Sequence, residues 1–309
     1  MVESAGKRIV SLLPGGTEIV CALGLEGQLV GRSHECDFPE AVKKLPVCSE
    51  PKIDIRASSL DINRQVKEVI ERALSIYRVD ADRLKQLKPD FVITQSQCEV
   101  CAVSPQDVEE AFCKWTISRP EIISLEPGTL ADIWKDILRV AGKLGVPDQG
   151  SALVSSLQNR AGAITERTNR RCRRPGVACI EWIEPLMTAG NWVPELVERA
   201  GGESLFGEPG KHSPWLDWDN LIRREPEIVV IFPCGFDIKR TKKEISTLTG
   251  KEEWKNLKSV KNKKVYIADG NQFFNRPGPR IIESLEILAE IFHPDLFHFG
   301  HQGKGWEVL

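Results

Sequence analysis

"VPDQGSALVSSLQNRAGAITERTNRR" (residues 146–171) lies near the middle of the 309-residue chain and decides its fold. Its apolar side chains recur at helical spacing, at Leu153, Leu157, Ala161 and Ile164. Pro147 suits a first helical turn, and no other proline follows before Pro175. The segment predicts one helix of about 25 residues, about 37 Å long at 1.5 Å per residue. A helix of this length is a rigid strut between the two halves of the chain.

On both sides of this helix, short apolar segments alternate with helical ones. The strand candidates are "RIVSLLP", "QLVGRS", "DFVITQ", "EIISLE", "GVACIEWIEP", "EIVVIFP" and "KVYIAD". Apolar strands separated by helices are typical of parallel sheets covered on both faces. We therefore predict an α/β protein with an N-terminal lobe (1–146), a connecting helix (147–172) and a C-terminal lobe (173–309).

Composition narrows the class of protein. The chain is 41% hydrophobic and 28% charged with a net charge of −2, so nucleic acid is not an expected partner. No apolar run reaches the roughly 20 residues that span a bilayer. The apolar part of "MVESAGKRIVSLLP" (residues 1–14) is too short for a secretory signal, which predicts a cytoplasmic protein. In that compartment the nine cysteines would be thiols or ligands.

Ligands of open parallel sheets lie beyond the carboxyl ends of the strands, so the loops after the strands supply the candidate ligand-binding residues. These candidates are Pro14, Gly15, Gly16, His34, Glu35, Trp182, Trp192, Phe273, Phe274, Asn275 and Arg276. The glycines would let backbone N–H groups approach a ligand, although no phosphate-loop or dinucleotide fingerprint follows them. The aromatic rings would offer flat faces to a macrocycle, and packing inside a lobe is the alternative. Arg276 would bind a ligand amide or carboxylate, or else bond loop carbonyls.

Four cysteines, from both lobes, are predicted to lie in these loops after the strands and to face one cleft. Cys98 and Cys101 form a CxxC pair before a helix start, Cys36 lies in "SHEC" and Cys234 in "PCGF". Four thiolates are the usual complement of an iron–sulfur cluster or a structural zinc. Two alternatives stay open, because buried cysteine is common in cores and because Cys98 and Cys101 could form a redox dithiol. The histidines of the tail "FHPDLFHFGH" indicate a docked tail rather than a surface metal site.

Several long segments resemble one known family. They are "IVSLLPGGTEIVCALGL", "GRSHECDFP", "LKPDFVITQSQCEVCAVS", "IEWIEPLMTAGNWVPELVERAGG" and "GNQFFNRPGPRIIESLEILAEIFHP". Together they resemble the cobalamin-binding proteins related to the receptors of vitamin and metal-chelate ABC importers. The resemblance implies a class III substrate-binding-protein fold: two Rossmann-like α/β lobes joined by one long helix, with a ligand clamped between them. It also implies an ABC-type permease as partner of the relatives, and a histidine in many of them where this chain has Asn191.

Two functional hypotheses follow. The first is a binding protein for a small metal chelate, cobalamin or a related corrinoid. The alternative is a cytoplasmic protein that holds an iron–sulfur cluster or zinc through Cys36, Cys98, Cys101 and Cys234 for redox, metal or sulfur handling. No serine elbow, HExxH motif or other complete catalytic constellation is present, so a binding protein is favoured over an enzyme.

Overall fold

The computed structural model describes residues 6–71, 75–96, 103–112 and 119–309. All seven strands predicted from the sequence are present in it. The chain forms two compact units. The first comprises Met1–Ala57, Arg64–Pro127 and Ala131–Ser155, and the second Ser58–Asn63, Gly128–Leu130 and Ser156–Leu309.

The first unit is built on a parallel sheet. Its strands are β1 (Ile9–Ser11), β2 (Leu29–Arg32), β3 (Ser49–Pro51), β4 (Tyr77–Val79), β5 (Phe91–Gln95) and β6 (Glu121–Leu125). Its helices are α1 (Pro14–Ala22), α2 (Ser59–Glu71), α3 (Ala81–Leu87), α4 (Pro105–Phe112) and α5 (Leu130–Lys143). The first residues of α2 and α5 are assigned to the second unit. Four strands pair in parallel in the order β2-β1-β5-β6, while β3 and β4 form a separate antiparallel pair.

Burial on both faces of this sheet explains why its central strands are continuous apolar runs. Val10 of β1 and Val92 of β5 are fully buried and share one core cluster with Leu84 of α3 and Phe112 of α4. Fully burying one such side chain stabilises the fold by about 1.5–3 kcal/mol. The helices that follow each strand therefore pack onto the sheet and hold its strands parallel.

The central helix α6 (Pro147–Thr168) is 22 residues long and begins at the predicted proline. Its residues up to Ser155 belong to the first unit and those from Ser156 belong to the second. Leu157, Ala161 and Ile164 are buried, as their spacing predicted. The helix ends at Thr168, where the Thr168 hydroxyl donates to the Arg199 carbonyl at 3.1 Å.

The second unit contains a mixed sheet. Its strands are β7 (Gly176–Trp182), β8 (Met187–Thr188), β9 (Glu203–Ser204), β10 (Ile228–Ile231), β11 (Val265–Ala268) and β12 (Trp306–Val308). Its helices are α7 (Val193–Arg199), α8 (Trp218–Arg224), α9 (Ile238–Glu244), α10 (Ser246–Thr249), α11 (Glu252–Asn256), α12 (Lys258–Lys261) and α13 (Ile281–Phe292). The main path is β12-β11-β10-β7-β8, and β9 also pairs with β7. Its three central strands, β11, β10 and β7, are parallel.

The C-terminal tail docks on α13, as the sequence predicted. The buried carboxylate of Glu290 accepts hydrogen bonds from the Gly300 amide at 2.6 Å and from Trp306 Nε1 at 2.8 Å. Glu286 accepts from Arg160 at 2.7 Å and lies 2.9 Å from His301 Nε2. These contacts hold the tail in place so that β12 pairs antiparallel with β11.

Helix α13 is buried along its whole length, but it has only 12 residues. Within the described ranges, no helix combines the length and the hydropathy needed to cross a membrane.

Two glycines of α6 predict opposite effects of the same substitution. A Cβ at Gly150 would overlap the Cβ of Ala141 on α5, whereas a Cβ at Gly162 would meet nothing within 4 Å. We expect Gly150→Ala to destabilise the protein by about 1–3 kcal/mol through overpacking. We expect Gly162→Ala to stabilise it by about 0.5–1 kcal/mol through helix propensity. Urea unfolding of both variants measures the change in the free energy of unfolding. Equal changes in the two variants would contradict the close approach of α5 and α6 at Gly150.

Candidate functional site

The carboxyl ends of the parallel strands of the first unit meet at one edge of its sheet. Pro14–Gly16 follow β1, His34–Cys36 follow β2, and the segment after β5 carries Cys98 and Cys101. Because β1 and β2 are parallel neighbours, the segments that begin at Pro14 and His34 belong to the same edge. Cys98 and Cys101 themselves lie outside the described residues.

Cys36 is a packed thiol at this edge. It is fully buried, accepts a hydrogen bond from the Thr17 hydroxyl at 3.0 Å and lies 3.3 Å from the Ser33 hydroxyl. Burial raises the pKa of the Cys36 thiol, although the hydrogen bonds from Ser33 and Thr17 partly oppose this. The neutral thiol is therefore favoured, and its contacts fasten the loop after β2 to α1.

The four-thiol site stays a prediction. Cys234, its member in the second unit, is exposed, and its amide donates to the Glu181 carbonyl at 3.1 Å. Among the residues with described coordinates, no group of three or more His, Cys, Asp or Glu side chains could hold a metal ion.

The glycines after β1 serve close packing. Pro14 occupies the first turn of α1, and Gly15 and Gly16 are buried. A Cβ at Gly16 would lie 2.8 Å from the Ile93 side chain of β5 and 3.0 Å from the Ser11 hydroxyl. Gly16 thus lets α1 approach the sheet, and ligand binding by Pro14, Gly15 and Gly16 stays a prediction.

The two ring nitrogens of His34 differ in their contacts. Nδ1 lies 3.1 Å from the Ser49 hydroxyl, and the ring packs against Tyr77 with centroids 5.6 Å apart. Nε2 has no hydrogen-bond partner in the described part of the chain and lies 4.0 Å from Glu35 Oε1. Burial lowers the pKa of His34, against a raising effect of the Ser49 hydrogen bond, so the imidazole is held neutral. A neutral, oriented imidazole is the form that ligates metals.

At the carboxyl edge of the second sheet, Glu181 lies in β7. Its Oε2 accepts a hydrogen bond from the Ser213 hydroxyl at 2.5 Å, and the same hydroxyl accepts from the Gly190 amide at 3.0 Å. Burial raises the pKa of Glu181, opposed by the Ser213 hydrogen bond. The sequence placed the loop after β7 at the site but did not single out Glu181, whose hydrogen-bond partner Ser213 lies 32 residues away along the chain.

The segment around Asn191 is held by close backbone contacts. Asn191 has a φ of 51°, a left-handed conformation that asparagine tolerates. Its amide donates to the Lys211 carbonyl at 2.6 Å, and a Cβ at Gly190 would come within 2.5 Å of that same oxygen. Asn191, which stands where the resemblance implied a histidine, therefore shapes the loop in this chain.

The four aromatic candidates of the second unit are buried. Trp182 is 9% exposed, Trp192 7%, Phe273 6% and Phe274 0%. Trp192 Nε1 donates to the Phe274 carbonyl at 2.7 Å, and the Phe274 ring stacks on Phe232 with centroids 4.1 Å apart. These contacts are packing within the unit, and ligand contact by the four rings stays a prediction.

Asn275 and Arg276 stabilise the loop after β11. The Asn275 side-chain amide donates to the Gly270 carbonyl at 2.9 Å. The buried Arg276 guanidinium donates to Asn271 Oδ1 at 3.2 Å. Both side chains thus form hydrogen bonds within the loop, and a ligand contact by either stays a prediction.

Two exposed aromatic residues were missed by sequence reasoning. Trp215 is 57% exposed and forms an isolated antiparallel β-bridge with Met187. Met187 in turn pairs with Trp182 at the carboxyl end of β7. Phe38, in the loop after β2 of the first unit, is 42% exposed. Neither residue lies in a periodic segment, so no sequence signal separated them from the buried rings. Each offers an exposed aromatic side chain in its own unit.

Comparison with known proteins places the chain in a family. It matches the family model described as periplasmic binding protein over residues 9–271. It is 23% identical over 305 residues to the uncharacterized ABC transporter substrate-binding lipoprotein YvrC of Bacillus subtilis (96% of this chain, 83% of that protein). It is 22% identical over 295 residues to the vitamin B12-binding protein of Pectobacterium atrosepticum (92% and 87%). The structure of the periplasmic heme-binding protein RhuT from Roseiflexus sp. RS-1, in apo form, matches with a TM-score of 0.70 at 21% identity (94% and 99%).

These findings correct two expectations. The predicted cytoplasmic location is wrong, because the family is one of periplasmic binding proteins and its relatives include a substrate-binding lipoprotein and a periplasmic protein. The short apolar stretch of residues 1–14 could not decide the compartment. The comparisons also give no support to the iron–sulfur or zinc alternative, since the relatives that are named for a ligand are named for vitamin B12 or heme. The predicted class III fold is confirmed, and the chain belongs to the periplasmic binding protein family.

Proposed function

We propose that this protein binds a cobalamin-like corrinoid and presents it to an ABC-type importer. The proposal is supported by the family and by the relatives that are named for vitamin B12, heme or ABC transport. Exposed Trp215 beside the carboxyl end of β7 is the structural observation that carries it. A large ring buries much apolar area against such a flat aromatic face.

The polar groups beside Trp215 favour a corrinoid over heme. Glu181 is held by Ser213, and burial raises its pKa towards the neutral form. A neutral carboxyl can pair with the amide groups around a corrinoid, whereas it offers no positive charge to the propionates of heme. In the first unit, taken by itself, the neutral imidazole of His34 offers a metal ligand at the carboxyl edge of the sheet.

Titration with aquocobalamin and with hemin, each followed by visible spectroscopy and calorimetry, tests this function. We expect saturable corrinoid binding that is tighter than hemin binding. Absence of binding to both compounds up to millimolar concentrations would reject the proposed function, and tighter binding of hemin would replace the corrinoid by heme.

Trp215→Ala should weaken corrinoid binding by about tenfold, because an aromatic contact surface worth about 1–2 kcal/mol is removed. Phe299→Ala is the matched control, since Phe299 is 41% exposed and precedes β12 at the far side of the same sheet. Calorimetric titration of both variants measures the difference. Equal affinities of the Trp215 variant and the native protein would show that the ring does not contact the ligand.

His34→Gln should remove the spectral change that follows replacement of the cobalt-bound water by an imidazole. Burial lowers the pKa of His34 below 6.5, the ordinary pKa of histidine. The native protein should therefore keep the spectral change at pH values just below 6.5 and lose it on further acidification, when the imidazole is protonated. The exposed His298, changed to Gln, is the control. If the His34→Gln variant binds aquocobalamin with the native spectrum, His34 is not a metal ligand, although the proposed function stands.

A further inference from the structure

Positive charge is concentrated in one stretch of the second unit. Residues 239–264 contain ten Lys and Arg against three Glu, while the rest of the chain contains 32 Lys and Arg against 41 Asp and Glu. Residues 239–264 therefore carry a net charge of +7 in a protein whose net charge is −2.

The stretch forms the connection between β10 and β11. Its helices α9, α10, α11 and α12 pack their apolar side chains onto the core of the second sheet, through Ile245, Leu248, Trp254 and Leu257. The exposed positions of this stretch include eight lysines: Lys239, Lys242, Lys243, Lys255, Lys258, Lys261, Lys263 and Lys264. We call these eight residues the lysine face.

Most of the lysine face is not neutralised by neighbouring acids. Lys242 pairs with Glu307 and Lys255 pairs with Glu252. The other six have no ion-pair partner among the residues that the structure describes. The adjacent α8 adds Asp219 but also Arg223 and Arg224, so it does not cancel the charge.

The chemistry of the lysine face matches an array of phosphates. Its cations are flexible ammonium groups, which bind phosphate as point charges without the planar, bidentate geometry of arginine. The only aromatic residue in 239–264 is Trp254, which is 3% exposed, so the stretch presents no ring for stacking nucleic-acid bases. The charges also spread over α9, α11, α12 and the turn before β11 instead of converging on one small anion.

We propose that the lysine face binds the phosphate headgroups of an anionic lipid bilayer. Each lysine close to an anionic surface strengthens binding about fivefold. The bilayer contact lies on the helices that cover the second sheet, and it is independent of the ligand proposed above.

Sedimentation of the native protein with phospholipid vesicles tests this contact. We expect binding to vesicles of phosphatidylglycerol and phosphatidylcholine in equal amounts, little binding to phosphatidylcholine alone, and loss of binding as salt rises well above about 0.15 M. Changing Lys258, Lys261 and Lys264 together to Gln should weaken binding on the order of 100-fold. Changing the exposed Lys44, Lys52 and Lys85 of the first unit to Gln alters the net charge equally and should have a much smaller effect.

Circular dichroism of both triple variants checks that they are folded, which their exposed positions lead us to expect. Binding to neutral vesicles as strong as to anionic ones would overturn the proposal, as would absence of binding to either. Equal losses of vesicle binding in the two triple variants would also overturn it, because they would show an effect of net charge alone. Displacement by inorganic phosphate at an ionic strength where chloride has no effect would indicate a site for free phosphate instead of a bilayer.

Discussion

Parallel pairing of the central strands is the constraint on which the rest of this structure depends. In each unit a central strand, β1 or β10, has parallel neighbours on both sides. Each return to a parallel strand requires a crossover, and the helices of these crossovers bury the sheets. Parallel pairing also gathers the loops after the strands at one edge, so that His34 in one unit and Glu181 in the other lie where ligands of such sheets bind.

Desolvation acts on both of these residues and favours their neutral forms. Burial lowers the pKa of His34 and raises the pKa of Glu181, because water no longer stabilises the charged state of either group. The Cys36 thiol is kept neutral for the same reason.

The same crossovers explain the separation of charge. The connection from β10 to β11 must present apolar residues to the sheet, and Ile245, Leu248 and Trp254 meet that demand. Its outer side has no such constraint and carries the lysine face. One segment thus stabilises the core of the second unit and gives the surface of the protein a strongly basic region.

The sequence by itself determined the fold class, the seven main strands and the start of α6, because apolar periodicity and proline position act locally along the chain. It did not predict the short strands β3, β4, β8, β9 and β12, whose two or three residues are extended only because a distant partner pairs with them. Only the tertiary structure decided that Trp182 and Phe274 are buried while Trp215 is exposed. It alone also decided that Ser49 orients His34 and Ser213 holds Glu181. Burial and desolvation depend on which residues pack from elsewhere in the chain, and no local pattern encodes that.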